Sequence, residues 1–286
     1  MQPLIKPVPA VNPALLVNAG LAAAAPVIHP AASLPFYLPS YLLSIEADAK
    51  TDKGTASGYL TGILYLAPGQ LAGVGNLCPH ASAGCLAACL FTAGRAGIFE
   101  AVNAARVMRT RFLHDNRPAF VAMLRGEIAA LIRKARRRGL KPVVRLNGTS
   151  DLPWETLAPE LFAEFPRLKF YDYSKSLRRA LAFAAGKLPR NYHLTFSLSE
   201  TNAAAAGLAI AAGVNVAAVA DGVKVGNRFA FPGLPEARPT FSADRHDLRF
   251  LDRKATDGRG RIGILKAKGK AKADTSGFVI RATAAA

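Results

Sequence analysis

Cys78, Cys85 and Cys89 are the only cysteines of the chain, and one loop holds all three: Asn76-Leu77-Cys78-Pro79-His80-Ala81-Ser82-Ala83-Gly84-Cys85-Leu86-Ala87-Ala88-Cys89. Three thiols placed at random in 286 residues would rarely gather so closely. A ligand set therefore explains them better than three ordinary buried cysteines. The C-x6-C-x3-C spacing lets a loop wrap three thiolates around one centre, with Pro79 and Gly84 supplying the turns that converge the sulfurs. Zinc would need a fourth ligand, for which His80 is nearest and His29, His114, His193 and His246 are the others, giving a closed structural site. A [4Fe–4S] cluster held by three cysteines leaves one iron open to a substrate or to a cofactor such as S-adenosylmethionine. The loop follows a predicted strand directly, and this placement favours the cluster, because loops after parallel strands assemble active sites.

Further polar residues stand at the ends of predicted strands: Asn147, Ser150 and Asp151; Asp172, Tyr173 and Lys175; Ser197, Ser199, Glu200 and Asn202. As a set they could bind the amino, carboxylate and ribose groups of a nucleoside–methionine cofactor. Ser199 and Asp151 also have a plain reading as helix or turn caps. The tract of Lys266, Lys268, Lys270 and Lys272 alternates charge with small residues and could follow a phosphate chain. It is not a P-loop, and its plain reading is a solvated edge strand kept from aggregating by its lysines. Trp154, the only tryptophan, reads as a packing anchor, and His193, which opens a strand, as structural.

Parallel strands joined by helices must position these groups. Residues 41–45 and 59–66 read as strands separated by a turn-rich stretch over 50–58. Ile98, Val102, Ala105, Met108 and Phe112 keep one helical face, and Phe120, Leu124, Ile128, Leu131 and Ala135 keep another, with Pro118 in the second helix's first turn and Gly139 ending it. Strands then follow at 142–146, 168–173, 192–197 and 214–219, with a helix over 201–212. Residues 223–240 carry too many Pro and Gly for regular structure, and 261–265 and 277–281 read as late strands. This alternation predicts an α/β fold, an open or partial (βα) barrel with a mainly parallel sheet. One barrel-like domain is expected over 41–286, with the cysteine loop at 76–90, after an Ala/Pro-rich flexible tail over 1–40.

The formal net charge is +18, and two segments supply sixteen of those charges. Residues 95–141 carry twelve Lys/Arg against three acids, and 249–281 carry ten against three. If the two meet in space they form one basic face able to take phosphates by counterion release; otherwise each is a solvated surface. No apolar run approaches the roughly 18 residues of a spanning helix. Prolines 3, 7, 9 and 13 interrupt the region where a signal peptide would lie. The odd cysteine count argues against a secreted disulfide framework. A cytoplasmic protein without a membrane partner is expected, of oligomeric state the sequence does not specify.

Blocks spread over residues 41–281 carry a resemblance. They include Leu66-Ala67-Pro68, the cysteine loop, Ala93-Gly94-Arg95, Arg145-Leu146-Asn147 with Ser150-Asp151, Phe170-Tyr171-Asp172-Tyr173 and His193-Leu194-Thr195-Phe196-Ser197. Asp247-Leu248-Arg249-Phe250-Leu251-Asp252 and the lysine tract complete them. In these blocks the chain resembles a family of proteins encoded by bacteriophages and related mobile elements, the phage gene product eighty-eight type, which brings no established function with it. That resemblance implies the host cell's cytoplasm as the location. More distantly, the cysteine loop and the polar strand ends resemble radical S-adenosylmethionine enzymes with a (βα)6 partial barrel. Those enzymes usually space their ligands C-x3-C-x2-C with an aromatic beside the last cysteine, where this chain has a wider spacing and Leu90. Two readings result: an iron–sulfur enzyme acting on a nucleic acid or another phosphorylated substrate, or a nucleic-acid-binding protein with a structural Cys3His zinc site and no chemistry. A metal-free redox-sensing thiol protein is a third, for which no resolving partner is evident.

Overall fold

Tyr59-Leu60-Thr61-Gly62-Ile63-Leu64 is apolar on both faces, which is the signature of a strand inside a parallel sheet rather than at its edge. In the computed structural model, which describes residues 38–46 and 49–282, it does lie inside. The Ala/Pro-rich segment expected over 1–40 falls, with His29, almost wholly outside the described residues. The strands are β1 (Leu43–Ile45), β2 (Tyr59–Leu64), β3 (Lys141–Arg145), β4 (Lys169–Ser174), β5 (Tyr192–Ser197) and β6 (Val216–Asp221). After them come β7 (Arg228–Phe229), β8 (Arg238–Ser242), β9 (Ile262–Leu265) and β10 (Ile280–Arg281). They form one sheet ordered β1-β2-β3-β4-β5-β6-β9-β8-β7, with β10 paired to β6. Only β1 and β7 run antiparallel to their neighbours. From β2 to β6 the parallel strands follow one another in chain order, so each crossover advances the sheet by one place. The sheet stays open, with β1 and β7 as its edges; the expected mainly parallel α/β architecture is present and closure into a barrel is not.

The helices are α1 (Ala49–Ala56), α2 (Ala83–Ala87), α3 (Arg95–Ile98), α4 (Glu100–Asp115), α5 (Arg117–Arg137), α6 (Trp154–Leu157), α7 (Pro159–Glu164), α8 (Leu177–Ala184) and α9 (Ala203–Ala211). Among the described residues none is long and apolar enough to cross a membrane. α5 buries Phe120, Leu124, Ile128, Leu131 and Ala135, the stripe that the 3.6-residue period predicts. Asn116 caps it by accepting the Ala119 N–H, Pro118 sits in its first turn, and Lys134 and Arg138 reach Glu46 at its basic end. A Cβ on Gly62 would stand 3.0 Å from Leu131, so the small residue lets this helix lie directly on β2.

On the opposite face of the sheet lies the segment 247–251, which contains a single 3-10 turn, Arg249–Leu251. Leu248 packs on Val143 and Tyr171, and Phe250 meets the rings of Tyr59 and Tyr171 at 5.4 and 5.6 Å. Several expectations need correcting. The turn-rich 50–58 contains α1, 223–240 holds β7 and the start of β8, and the lysine tract is a 3-10 helix (Gly269–Ala273) instead of an edge strand. The late strand expected over 277–281 shrinks to the two residues of β10.

Candidate metal centre

The loop from β2 to α4 is fastened at several points before it presents its cysteines. The Leu77 N–H donates to Gly69 O at 2.9 Å, and Leu77 O accepts the Asp151 N–H at 2.8 Å, tying the loop to the segment after β3. Asn76 Oδ1 accepts the Cys78 N–H at 2.9 Å, and the Cys78 thiol points to Thr149 O at 3.7 Å. Ser82 starts the short α2 by accepting the Cys85 N–H. Glu200, from the segment after β5, then clamps this turn: one oxygen accepts the Ser82 hydroxyl and the other the Gly84 N–H, both at 2.8 Å. A Cβ on Gly84 would stand 2.2 Å from Ser276 Oγ and 2.6 Å from Glu200, so the clamp requires glycine there.

All three cysteines, each half-buried, line one cavity of about 180 Å³ at the carboxyl ends of the parallel strands. Arg145, Tyr173, Ser197, Val219 and Leu265 carry its wall from β3 to β9. Asp244, Lys266, Lys268 and Phe278 close the far side. Burial pushes the Cys78 thiol up to about 12, with Cys89, Cys85 and Asp151 adding to it, and pushes Cys89 up to about 11. Both are therefore neutral thiols at neutral pH in the metal-free chain. Among the described residues no three His, Cys, Asp or Glu side chains are close enough to hold a metal ion as they stand.

The family model Gene product 88 matches the chain over residues 42–282. The chain belongs to the Gene product 88 family. No curated protein and no solved structure matches it. The matched span contains every residue of the cavity, so the cavity lies within what the family shares in length.

Of the ten strand-end residues expected to bind a cofactor, Asn147, Ser150, Asp151, Tyr173, Lys175 and Ser197 line the cavity. Several already serve the fold. Asn147 Oδ1 accepts from Ser150, from the Leu152 N–H and from the Trp154 indole, while its amide donates to Leu152 O and Asp172. Asp151 accepts the Lys175 N–H and an Arg179 N–H, both at 2.9 Å. Lys175 donates to Ser197 at 3.0 Å and lies over the Phe278 ring. Asp172 faces the other side of β4, accepting the Asn147 N–H and the Tyr192 hydroxyl, and burial pushes its carboxyl up to about 7. Ser199 is buried with its hydroxyl unpartnered, Asn202 ties Ser199 N to Ser197 O, and Glu200 holds the loop. Lys266 and Lys268 reach the cavity, and Lys270 and Lys272 do not line it. Trp154 is fully buried and stacked on Phe120, the packing anchor expected of it. His193 is likewise structural, packed against Phe183.

Sequence reasoning missed the charged floor of the cavity. Arg145 pairs with Asp247 at 2.8 Å, and Asp247 also accepts the Tyr173 and Tyr171 hydroxyls. The two charges lie 102 residues apart, so no local pattern could pair them, although both fall in the blocks that carry the family resemblance. Asp244, which accepts the Lys266 N–H and pairs with Lys268, was missed for the same reason.

Proposed function

We propose that the protein is an iron–sulfur enzyme of the kind that uses S-adenosylmethionine, with Cys78, Cys85 and Cys89 holding a [4Fe–4S] cluster. The observation that carries this reading is that every cysteine of the chain opens into one cavity at the carboxyl ends of parallel strands laid down in chain order, on the loop after the first of them. The donor set fits such a group. A single zinc ion, bound at about 2.3 Å, would need its sulfurs drawn together to roughly 4 Å. A four-iron cube sets its ligands wider apart, which suits three thiols that line one cavity without being gathered at a single-ion site. Among the described residues no histidine lines the cavity, and His80 is exposed on the loop, so a Cys3His zinc site has its nearest fourth ligand out of place.

When bound, a cluster with three protein ligands supplies one open iron for a cofactor or substrate and an electron to it. The chain's own residues do the rest. Ser150, Lys175 and Ser197 offer a hydroxyl, an ammonium and a second hydroxyl to the same space, and Phe278 offers an aromatic face. The Arg145–Asp247 pair and Tyr173 form a rigid floor that excludes water from below. Lys266 and Lys268 at the far side, with the net charge of +18, favour a nucleic acid or another phosphorylated substrate.

The test is the absorption spectrum and metal content of protein purified without air, beside a Cys78→Ala/Cys85→Ala/Cys89→Ala variant. Broad absorbance near ~400 nm with iron and sulfide, lost in the variant, is the expected result. Zinc alone, equally lost in the variant, would replace this reading with that of a zinc protein without such chemistry.

A further inference from the structure

α4 buries three arginines, and they are not equivalent. Arg109 donates from Nε to Tyr41 O at 2.9 Å, and Arg111 donates from Nε to Ala72 O at 3.2 Å. Arg106 is 6% exposed, yet its Nε and Nη1 have no hydrogen-bond partner. Its guanidinium lies over the Tyr65 ring, 5.1 Å from the centroid. A guanidinium does not lose its proton in a protein, so a buried one with idle donors calls for an anion. The next residue, Val107, sits in the small apolar cluster of Ala67, Leu71, Ala72 and Phe91 against which Cys89 packs. Val107 and Cys89 thus bring this turn of α4 against the cysteine loop, where Cys89 and Arg106 each feel the other's charge. No carboxylate is among the groups acting on it.

We propose that Arg106 is the built-in counter-charge of the cysteine-held centre, acting on the Cys89 thiolate through its charge. The inference rests on the iron–sulfur reading above. Three thiolates around a cluster core of charge two plus leave the assembly negative, and more negative once it takes up an electron. A fixed cation at one ligand therefore favours the reduced state over the oxidised one and sets the reduction potential higher. Arg106 is a positioning residue here, because it acts through Cys89 and not on a substrate.

The test compares wild type, Arg106→Gln and Arg106→Lys as full-length chains, reconstituted without air and titrated with dithionite. The wild-type content of iron and sulfide decides the iron–sulfur reading by itself. Given a cluster, Arg106→Gln is expected to shift the midpoint potential to more negative values and to lose iron to a chelator several-fold faster. Arg106→Lys keeps the charge and stays close to wild type. The metal-free Arg106→Gln chain is expected to melt no lower than metal-free wild type, since it no longer buries an idle charge. A purely structural arginine gives the opposite pattern, a lower metal-free melting temperature with an unchanged potential, and that result overturns the proposal. Should Arg106→Gln fail to fold, Arg106→Met, apolar and unbranched, gives the same comparison; failure of both overturns it as well. If wild type holds zinc instead, an unchanged zinc affinity in Arg106→Gln overturns it, and a chain that binds no metal through its cysteines overturns both readings.

Discussion

At the scale of single residues, the proton balance of the site is set by burial. Cys78 and Cys89, raised to about 12 and 11, must give up their protons to bind any metal, so loading competes with protonation. Affinity for Co²⁺, a spectroscopic stand-in for the native metal, is expected to rise about tenfold per pH unit for each proton released. Titrations at pH 6.5, 7.5 and 8.5 check this; a flat profile would mean that the cysteines do not supply the ligands. Two other buried groups pull stability in opposite directions. The Asp172 carboxyl lies at about 7 against an ordinary 3.8, so the folded state holds its proton more tightly. Its contribution is complete below 3.8 and is lost as pH rises through about 7. His193, pushed down to about 4 from 6.5, resists the proton that the unfolded chain accepts, so its contribution is complete above 6.5 and fades as pH falls toward 4. Urea unfolding across pH 4 to 8 is expected to show Asp172→Asn flattening the decline toward neutral pH and His193→Gln flattening the decline toward acid.

At the scale of elements, the decisive contact is between α2 and the segment after β5. Glu200 receives two hydrogen bonds from the cysteine turn, and Ser276 and Glu200 fill the space beside Gly84. Glu200→Ala is expected to cost that turn about 3 kcal/mol of anchorage. Gly84→Ala forces Ser276 and Glu200 aside. Both variants should exchange the Cys85 and Ala88 amides faster and retain less metal, while the amides of β3 to β5 keep wild-type protection. Hydrogen exchange read residue by residue separates this local loosening from global unfolding. These contacts also mark how far the sequence was legible. β2 to β6 and α5 were readable because apolar runs bounded by Gly and Pro, and a 3.6-residue stripe, leave local signals; for α4 the stripe picked the wrong face, since Ile98 is exposed in α3 and the helix buries Asn103, Arg106, Val107 and Thr110. α1 was not: Ala-Lys-Thr-Asp-Lys-Gly-Thr-Ala reads as a turn on propensity, and Gly54 packing near Thr61 and Leu248 overrides it. β8 hid in a Pro-rich stretch because its partners, β7 and β9, are supplied by the sheet and not by its own sequence. The cysteine set and its place after the first parallel strand were legible for a simple reason, that loop and strand are adjacent in sequence. The Arg145–Asp247 floor and the Glu200 clamp join residues more than a hundred positions apart, and only the fold makes them neighbours.

At the scale of the whole molecule, the charge of +18 divides into a part the fold consumes and a part it displays. Of the basic segment over 95–141, Arg106, Arg109 and Arg111 are buried in α4, and Lys134 and Arg138 are paired with Glu46, so this segment cannot act as one open cationic face. In the segment over 249–281, Arg249 is buried and Lys268 is paired with Asp244, whereas Lys266, Lys270 and Lys272 are exposed. The lysines beside the cavity are thus better placed to meet a phosphate chain than the helical arginines are. Binding of a single-stranded oligonucleotide is then expected to weaken steeply with salt, the logarithm of the affinity falling by about 0.7 per tenfold rise in salt for each phosphate contacted. Replacing Lys266, Lys270 and Lys272 with alanine together should reduce that slope by about 2, while alanines at the helical Arg133, Arg136 and Arg137 should change it by less than about 1. Fluorescence titrations between 50 and 300 mM salt measure both slopes. Equal losses from the two sets would mean that the charge acts only as a diffuse field around the protein, and the phosphorylated substrate would then lose its support at the cavity.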